Sequence, residues 1–270
     1  MPKQNIRYLQ NNTVDEGSLQ VNVETPSGRL PIQDAQVTIS YTGEPQSTIE
    51  EVSTNSSGQT EQVRLRTPPL EYSMEPSEQQ PYAEYTIQVS AKGYIPVNVS
   101  GIQVLPGETS VQRVSLVSQK TKINPVDHIV IPANTLFGDF PSKIPESEIK
   151  PVEESGEIVL SRVVVPEYII VHDGAPSDST ARDYYVTYKD YIKNVASSEI
   201  YATWPDATLR ANILAIMSFT LNRVFTEWYR NKGYDFTITS STAFDHKWVY
   251  GRNIFENISL IVDEIFQNYL

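Results

Sequence analysis

The sequence predicts an α+β chain in which an all-β sandwich precedes a mixed helical domain. Three observations carry this. Apolar residues alternate with period two from Gly17 to about Val117, helical three-and-four spacing dominates Tyr188 to Arg230, and a proline-rich acidic stretch lies between. The domains follow: an arm over 1–16, the sandwich over 17–117, a linker over 118–156 and the helical domain over 157–270.

The sandwich strands are read in order from Leu19, Val21 and Val23, then Val37 and Ile39, then Val63 and Leu65, then Tyr85, Ile87 and Val89. Pro96 to Val99 and Val111 to Leu116 complete the set, with turn residues between. Pro68 to Pro81 reads as a flexible surface loop, because proline removes ladder donors and excludes a central strand. Prolines 125, 132, 141, 145 and 151, with short apolar anchors at Leu136, Phe137 and Phe140, describe a linker that hugs a surface. Ile158 to Leu160, Val163 to Val165 and Tyr168 to Val171 read as strands entering the second domain, and His172-Asp173-Gly174 as their exit turn.

In the helical domain Tyr188, Ile192 and Val195 form a stripe whose next position is Glu199. A carboxylate thus continues a face that is otherwise apolar, beside the small residues Ala196, Ser197 and Ser198. Burial there would raise its pKa and suit it to general acid work. Pairing with Arg210 or Arg223 on the following helix is the structural alternative. Thr203 as a hydroxyl cap, with Pro205 and Asp206 in the first turn, marks that next helix.

Composition narrows the function. The 270 residues carry a net charge of −12 and no basic run, which argues against nucleic acid as a partner. No cysteine is present, so disulfides, thiol nucleophiles and cysteine-ligated zinc drop out, and no cofactor is expected. The opening MPKQNIRYLQNNTVDEG has no apolar core of a secretory signal. The longest apolar run, Ile213 to Val224, is broken by Ser218, Thr220, Asn222 and Arg223, so no membrane span is expected.

Two resemblances add to this. The pattern Gly17-x-Leu19-x-Val21-x-Val23, Pro31-Ile32, Ala35-x-Val37, Gly58 with Thr60, Tyr85-Thr86-Ile87 and Gly93-Tyr94 resembles prealbumin-like modules of the collagen-adhesin B (CnaB) type. Tyr188 to Arg230, with Gly233 to Thr242 and Val262-Asp263-Glu264, resembles the stage II sporulation protein D (SpoIID/LytB) domain: a helix ending in Glu, then Trp-Pro, a long Ala-containing helix and a Thr/Ser loop after Tyr-Asp. VPEYIIVHDG, YKDYIKNVASSEIY and LNRVFTEWYR are similar to the spore cortex-lytic enzymes of the SleC type.

That second resemblance implies a peptidoglycan lytic transglycosylase acting on cortex glycan strands during germination. Glu199 is then the catalytic acid, and Tyr191, Ser198, Tyr201, Trp204, Arg223, Thr239, Ser240, Ser241 and Thr242 are substrate-binding candidates. It implies a zymogen, an activating protease and a place in the spore envelope, with the cytoplasm as the alternative. Met217-Ser218-Phe219 stands where many such domains have an arginine, a role Arg223 could take over. The family domain runs on past Asp263-Glu264, so the resemblance implies a domain cut short at Leu270. A glycosidase with a second carboxylate, for which Asp206, Asp235 and Asp245 are the candidates, and a non-catalytic envelope-binding protein are the competing expectations.

Overall fold

A computed structural model describes residues 15–121, 126–145 and 162–269. Most of the predicted arm, the predicted strand Ile158 to Leu160 and linker positions 146–156 lie outside them. The chain is mixed α+β and divides into two compact units. The first holds residues up to Ala133 together with Tyr201–Trp204 and Tyr250–Asn257, and the second holds Asn134–Ile200, Pro205–Val249 and Ile258–Leu270. The division falls inside the predicted linker, but the chain re-enters the first unit twice, which no composition shift announces.

The first unit is built on two sheets. One orders β1 (Asp15–Glu24), β4 (Val63–Thr67), β7 (Thr109–Ser115) and β12 (Ile254–Phe255) as β12-β7-β1-β4, with β1 and β7 parallel. The other runs β3-β2-β5-β6-β8, from β2 (Gln36–Tyr41), β3 (Thr48–Ser53), β5 (Ala83–Ser90), β6 (Val97–Val104) and β8 (His128–Val130). Alternation buries one face of each: Leu19, Val21, Val23 and Leu65 from the first sheet meet Val37, Ile39, Ile87 and Val99 from the second in one aliphatic core. At Gly101 the ladder bends; φ is +78° and a Cβ would sit 2.2 Å from the Ile131 carbonyl oxygen, so only glycine fits.

Three elements here escape the alternation rule. β3 carries Glu50 and Glu51 on an exposed edge, β8 lies within the predicted linker, and β12 lies within the predicted helical domain. The stretch Pro68 to Pro81 contains no strand, as expected. It is not simply a surface loop, however: Pro68, Pro69 and Ser73 are buried, and it holds a one-turn helix, α1 (Glu71–Met74).

The second unit has a small sheet, β10-β9-β11, from β9 (Tyr168–His172), β10 (Asp183–Thr187) and β11 (Ile238–Thr239). Val163 to Val165 form no strand, in contrast to the expectation. Helix α2 (Tyr188–Glu199) starts where Thr187 accepts a hydrogen bond from the Asp190 N–H and stops at extended Ile200. Helix α3 (Asp206–Phe225) begins at Pro205. Thr203 does not cap it; its hydroxyl bonds Ser73 at 2.8 Å instead, so the predicted helix start is two residues early. In α4 (Glu256–Tyr269), Phe266 packs on Tyr188, and Asp263 takes Lys189 and Lys193.

Candidate functional site

Glu199 is the last residue of α2. Tyr188, Ile192 and Val195 below it are buried as the stripe predicts, and its neighbours Ser197 and Ser198 are buried too. Two flanking backbone groups are pinned from one segment: Thr135 N–H donates to the Ser198 carbonyl at 3.0 Å, and the Asn134 amide to the Ile200 carbonyl at 3.4 Å. The carboxyl itself is half-buried and accepts the Lys247 N–H at 2.6 Å.

Crowding strips the Glu199 carboxyl of hydration and pushes its pKa up to about 7, against smaller opposing effects of the Lys247 N–H and the Lys143 charge. Among the described residues it makes no ion pair. Arg210 takes Asp206 and Glu264, and Arg223 takes Asp245 at 2.8 Å. The structural alternative for Glu199, pairing with either arginine, is therefore overturned.

The loop that delivers the Lys247 N–H is held on both sides. Asn194 bonds Val249 through both amide atoms, at 2.8 and 2.9 Å. Asp245, fully buried, collects the Arg223 guanidinium, the Tyr229 hydroxyl at 2.5 Å, and the N–H and hydroxyl of Thr239 at 3.0 and 2.7 Å. Between these anchors His246 is buried, 3.3 Å from the Tyr191 hydroxyl and tilted against the Phe219 ring. Burial and the charges of Lys143 and Arg223 hold His246 down to about 3, so it is neutral at physiological pH. Tyr191 is raised well above its ordinary value by burial and by the negative charges of Asp245 and Glu199.

These placements sort the expected site residues. Tyr191 lies on the helix that ends in Glu199 but is fully buried, so its ring face is packed rather than offered to a sugar. Ser198 donates back to the Asn194 carbonyl. Arg223 and Thr239 are committed to Asp245, and the Ser240 hydroxyl to Asp173 at 2.8 Å. Ser241 and Thr242 are half-buried in the turn that follows. Tyr201 and Trp204 belong to the first unit, where Trp204 donates its indole N–H to the Ser73 carbonyl at 2.8 Å.

Of the proposed second carboxylates, Asp245 is saturated and buried, Asp206 is paired with Arg210, and Asp235 is exposed. Sequence reasoning missed Lys143, His246 and Lys247. Lys143 comes from the predicted linker, where the Ile144 N–H bonds the Ala243 carbonyl at 2.8 Å; its one sequence signal is a lysine amid prolines. The other two sit just beyond the Thr/Ser loop.

A cavity of about 180 Å³ lies elsewhere in the same unit, lined by Tyr168, Arg223, Glu227, Tyr229, Arg230 and Phe236 among others; Glu199 is not in its wall. Among the described residues no group of His, Asp and Glu could hold a metal ion, and no helix is long and apolar enough to cross a membrane.

No family model matches the chain, and no curated protein matches it. Solved structures share limited likeness with it. A Bacteroides fragilis protein of unknown function is 20% identical over 41% of this chain and 31% of its own, with a TM-score of 0.23. Catechol 1,2-dioxygenase of Acinetobacter radioresistens is 13% identical over 43% and 58%, at 0.25. Sea bream transthyretin is 12% identical over 40% of this chain and 98% of its own, at 0.22. The chain thus spans less than two thirds of the first two structures, and at these TM-scores the likenesses carry no argument about its chemistry.

Proposed function

We propose that the second unit belongs to a peptidoglycan lytic transglycosylase of the SpoIID/LytB type, most similar to the SleC-type cortex-lytic enzymes, with Glu199 as its acid and base. The single observation that supports this is the state of Glu199: a half-buried carboxyl near pKa 7, held by one backbone N–H and spared by both nearby arginines.

The chemistry needs only such a group. As the acid, Glu199 protonates the glycosidic oxygen while the bond from the muramic acid C1 to that oxygen breaks. As the carboxylate it then removes the proton of the muramic acid C6 hydroxyl, whose oxygen closes on C1 to give the 1,6-anhydro ring. Each proton Glu199 gives up is regained in the second step. The Lys247 N–H fixes one oxygen and leaves the other for this exchange. Saturation of Asp245 by Arg223, Tyr229 and Thr239 disfavours a two-carboxylate hydrolase. In this reading the first unit is a prealbumin/CnaB-like module that precedes the catalytic part, and the protein works in the spore envelope after processing by a protease.

Incubation with decoated spores and mass spectrometry of the released muropeptides tests this. Anhydro-muramic ends are expected, with an alkaline limb near pH 7 and their loss in Glu199→Gln; reducing ends, or equal release by that variant, would refute it. The competing reading is a non-catalytic envelope or wall-binding protein. It is favoured by the commitment of Arg223 and Thr239 to Asp245 and of Ser240 to Asp173, which takes these groups from a glycan, and binding of glycan without cleavage would establish it.

A further inference from the structure

The cavity away from Glu199 has chemistry of its own. Its wall combines one anion, Glu227, with the cations Arg223 and Arg230, set among Pro166, Tyr168, Ile169, Tyr229 and Phe236. Arg223 is neutralised by Asp245, so the groups left to a ligand are Glu227 and Arg230. Their closest approach is 3.7 Å, beyond a hydrogen bond, and neither side chain forms a hydrogen bond among the described residues.

Glu227 is constrained in a further way: its side chain is 24% exposed and its backbone is held at φ +49°, a region that disfavours any residue with a Cβ. Strain of this kind persists where the surroundings impose it and gathers at ligand sites. A carboxylate and a guanidinium side by side, held to each other only by a loose pair at 3.7 Å, are complementary to an ammonium and a carboxylate side by side.

We propose that this cavity is a recognition site for a free amino-acid head group, an ammonium and a carboxylate on one carbon, carried at the end of a flexible chain. Glu227 takes the ammonium and Arg230 the carboxylate. About 180 Å³ is the space of roughly six waters, enough for such a head group. The chain leaves over an aromatic rim: Tyr168 is exposed at the cavity, and Tyr185, opposite Ile170 in the β9–β10 register, is 77% exposed on the same sheet face. If the reading above holds, the ligand is the diamino-acid side chain of an uncross-linked wall peptide. The head-group chemistry does not depend on that reading, nor on cleavage at Glu199.

The test is a titration of the 270-residue chain with meso-diaminopimelate, followed by NMR at the Arg230 side-chain N–H and the Ile169 and Thr237 amides. Saturable shifts at these groups are expected, absent with pimelate, which lacks the ammoniums, and with cadaverine, which lacks the carboxylates. Arg230→Met and Glu227→Gln, both at partly exposed positions that leave the fold intact, should each weaken binding about tenfold or more. Glu199→Gln should bind as the parent does, which separates this site from the catalytic proposal. No saturation, an equal response to pimelate or cadaverine, or unchanged affinity in both variants would overturn it. A muramyl tripeptide ending in diaminopimelate should bind at least as tightly; failure of that arm alone would overturn the wall-peptide assignment.

Discussion

The core between the two sheets is aliphatic, whereas the apolar interior of the helical unit encloses a cluster of buried charged and polar groups. Leu19, Val37, Ile39, Ile87 and Val99 fill the first with aliphatic surface, which stabilises by leaving water and asks nothing of its partners beyond fit. The second is organised around Arg223, Asp245, His246 and Asn194, groups that are expensive to desolvate and tolerable only because each is held by named partners. A polar centre is a poor way to gain stability and a good way to fix geometry. What it fixes here is the loop that brings the Lys247 N–H to Glu199.

The largest effects should come from breaking each centre by its own logic. Asp245→Asn keeps the volume but leaves the Arg223 guanidinium buried against a neutral amide, and should cost about 3–5 kcal/mol. Ile87→Ala, fully buried between the sheets, should cost about 2–5 kcal/mol through lost burial and the cavity left behind. Urea denaturation of both variants checks the magnitudes, and the comparison is sharpened by chemical shifts. Asp245→Asn should displace the Lys247 amide resonance well before unfolding, whereas Ile87→Ala should leave it in place. If both variants shift it equally, the polar centre is not what positions the loop.

A somewhat smaller effect separates Glu199 from the satisfied Asp245. With its folded pKa raised to about 7, Glu199 keeps a proton that the unfolded chain, titrating at about 4.3, has already lost. The native state binds more protons in that window, so its stability falls as pH rises from about 4.3 to 7, and the full penalty applies above it. Glu199→Gln, which can still accept the Lys247 N–H, should therefore be more stable than the parent by roughly 3 kcal/mol at pH 8 and nearly equal to it at pH 4. Thermal scans across this range measure it. A difference independent of pH would mean that the carboxyl is not strained toward its neutral form.

The same contrast decides what was legible in the sequence. Aliphatic burial on a sheet writes itself as alternation, which is why Leu19 to Val23 and Tyr85 to Val89 were readable as strands. The edge strand with Glu50 and Glu51 buries nothing, so it leaves no such trace, and the two-residue β12 is too short to show a period. In the helical unit the stripe through Tyr188, Ile192 and Val195 was enough to place α2 and Glu199. The partners of that carboxyl come from residues 143 and 247, distant in sequence and joined through polar contacts that have no period. Arg223 and Asp245 illustrate the limit: nothing in their spacing joins them, and only the fold shows that they belong to each other.

The smallest expected effect compares backbone strain in the two units. Arg29 and Glu227 occupy nearly the same left-handed conformation, at φ +48° and +49°. Arg29 follows Gly28 in an exposed turn after β1, whereas Glu227 lines the cavity. Glycine at either position relieves the Cβ clash, worth about 1–2 kcal/mol, but loosens the unfolded chain by about 0.4–1 kcal/mol. Arg29→Gly and Glu227→Gly should each therefore gain between about 0 and 1.6 kcal/mol, visible as a modest rise in Tm. The stability changes should match, because the local physics is the same, and the partly exposed ion pairs lost with the two side chains, at 4.0 and 3.7 Å, are both too long to be strong. Function should split them: Arg29→Gly leaves diaminopimelate binding untouched and Glu227→Gly removes it. A gain in stability at Glu227 without a loss of binding would mean that the strain there is incidental, as it is in the turn at Arg29.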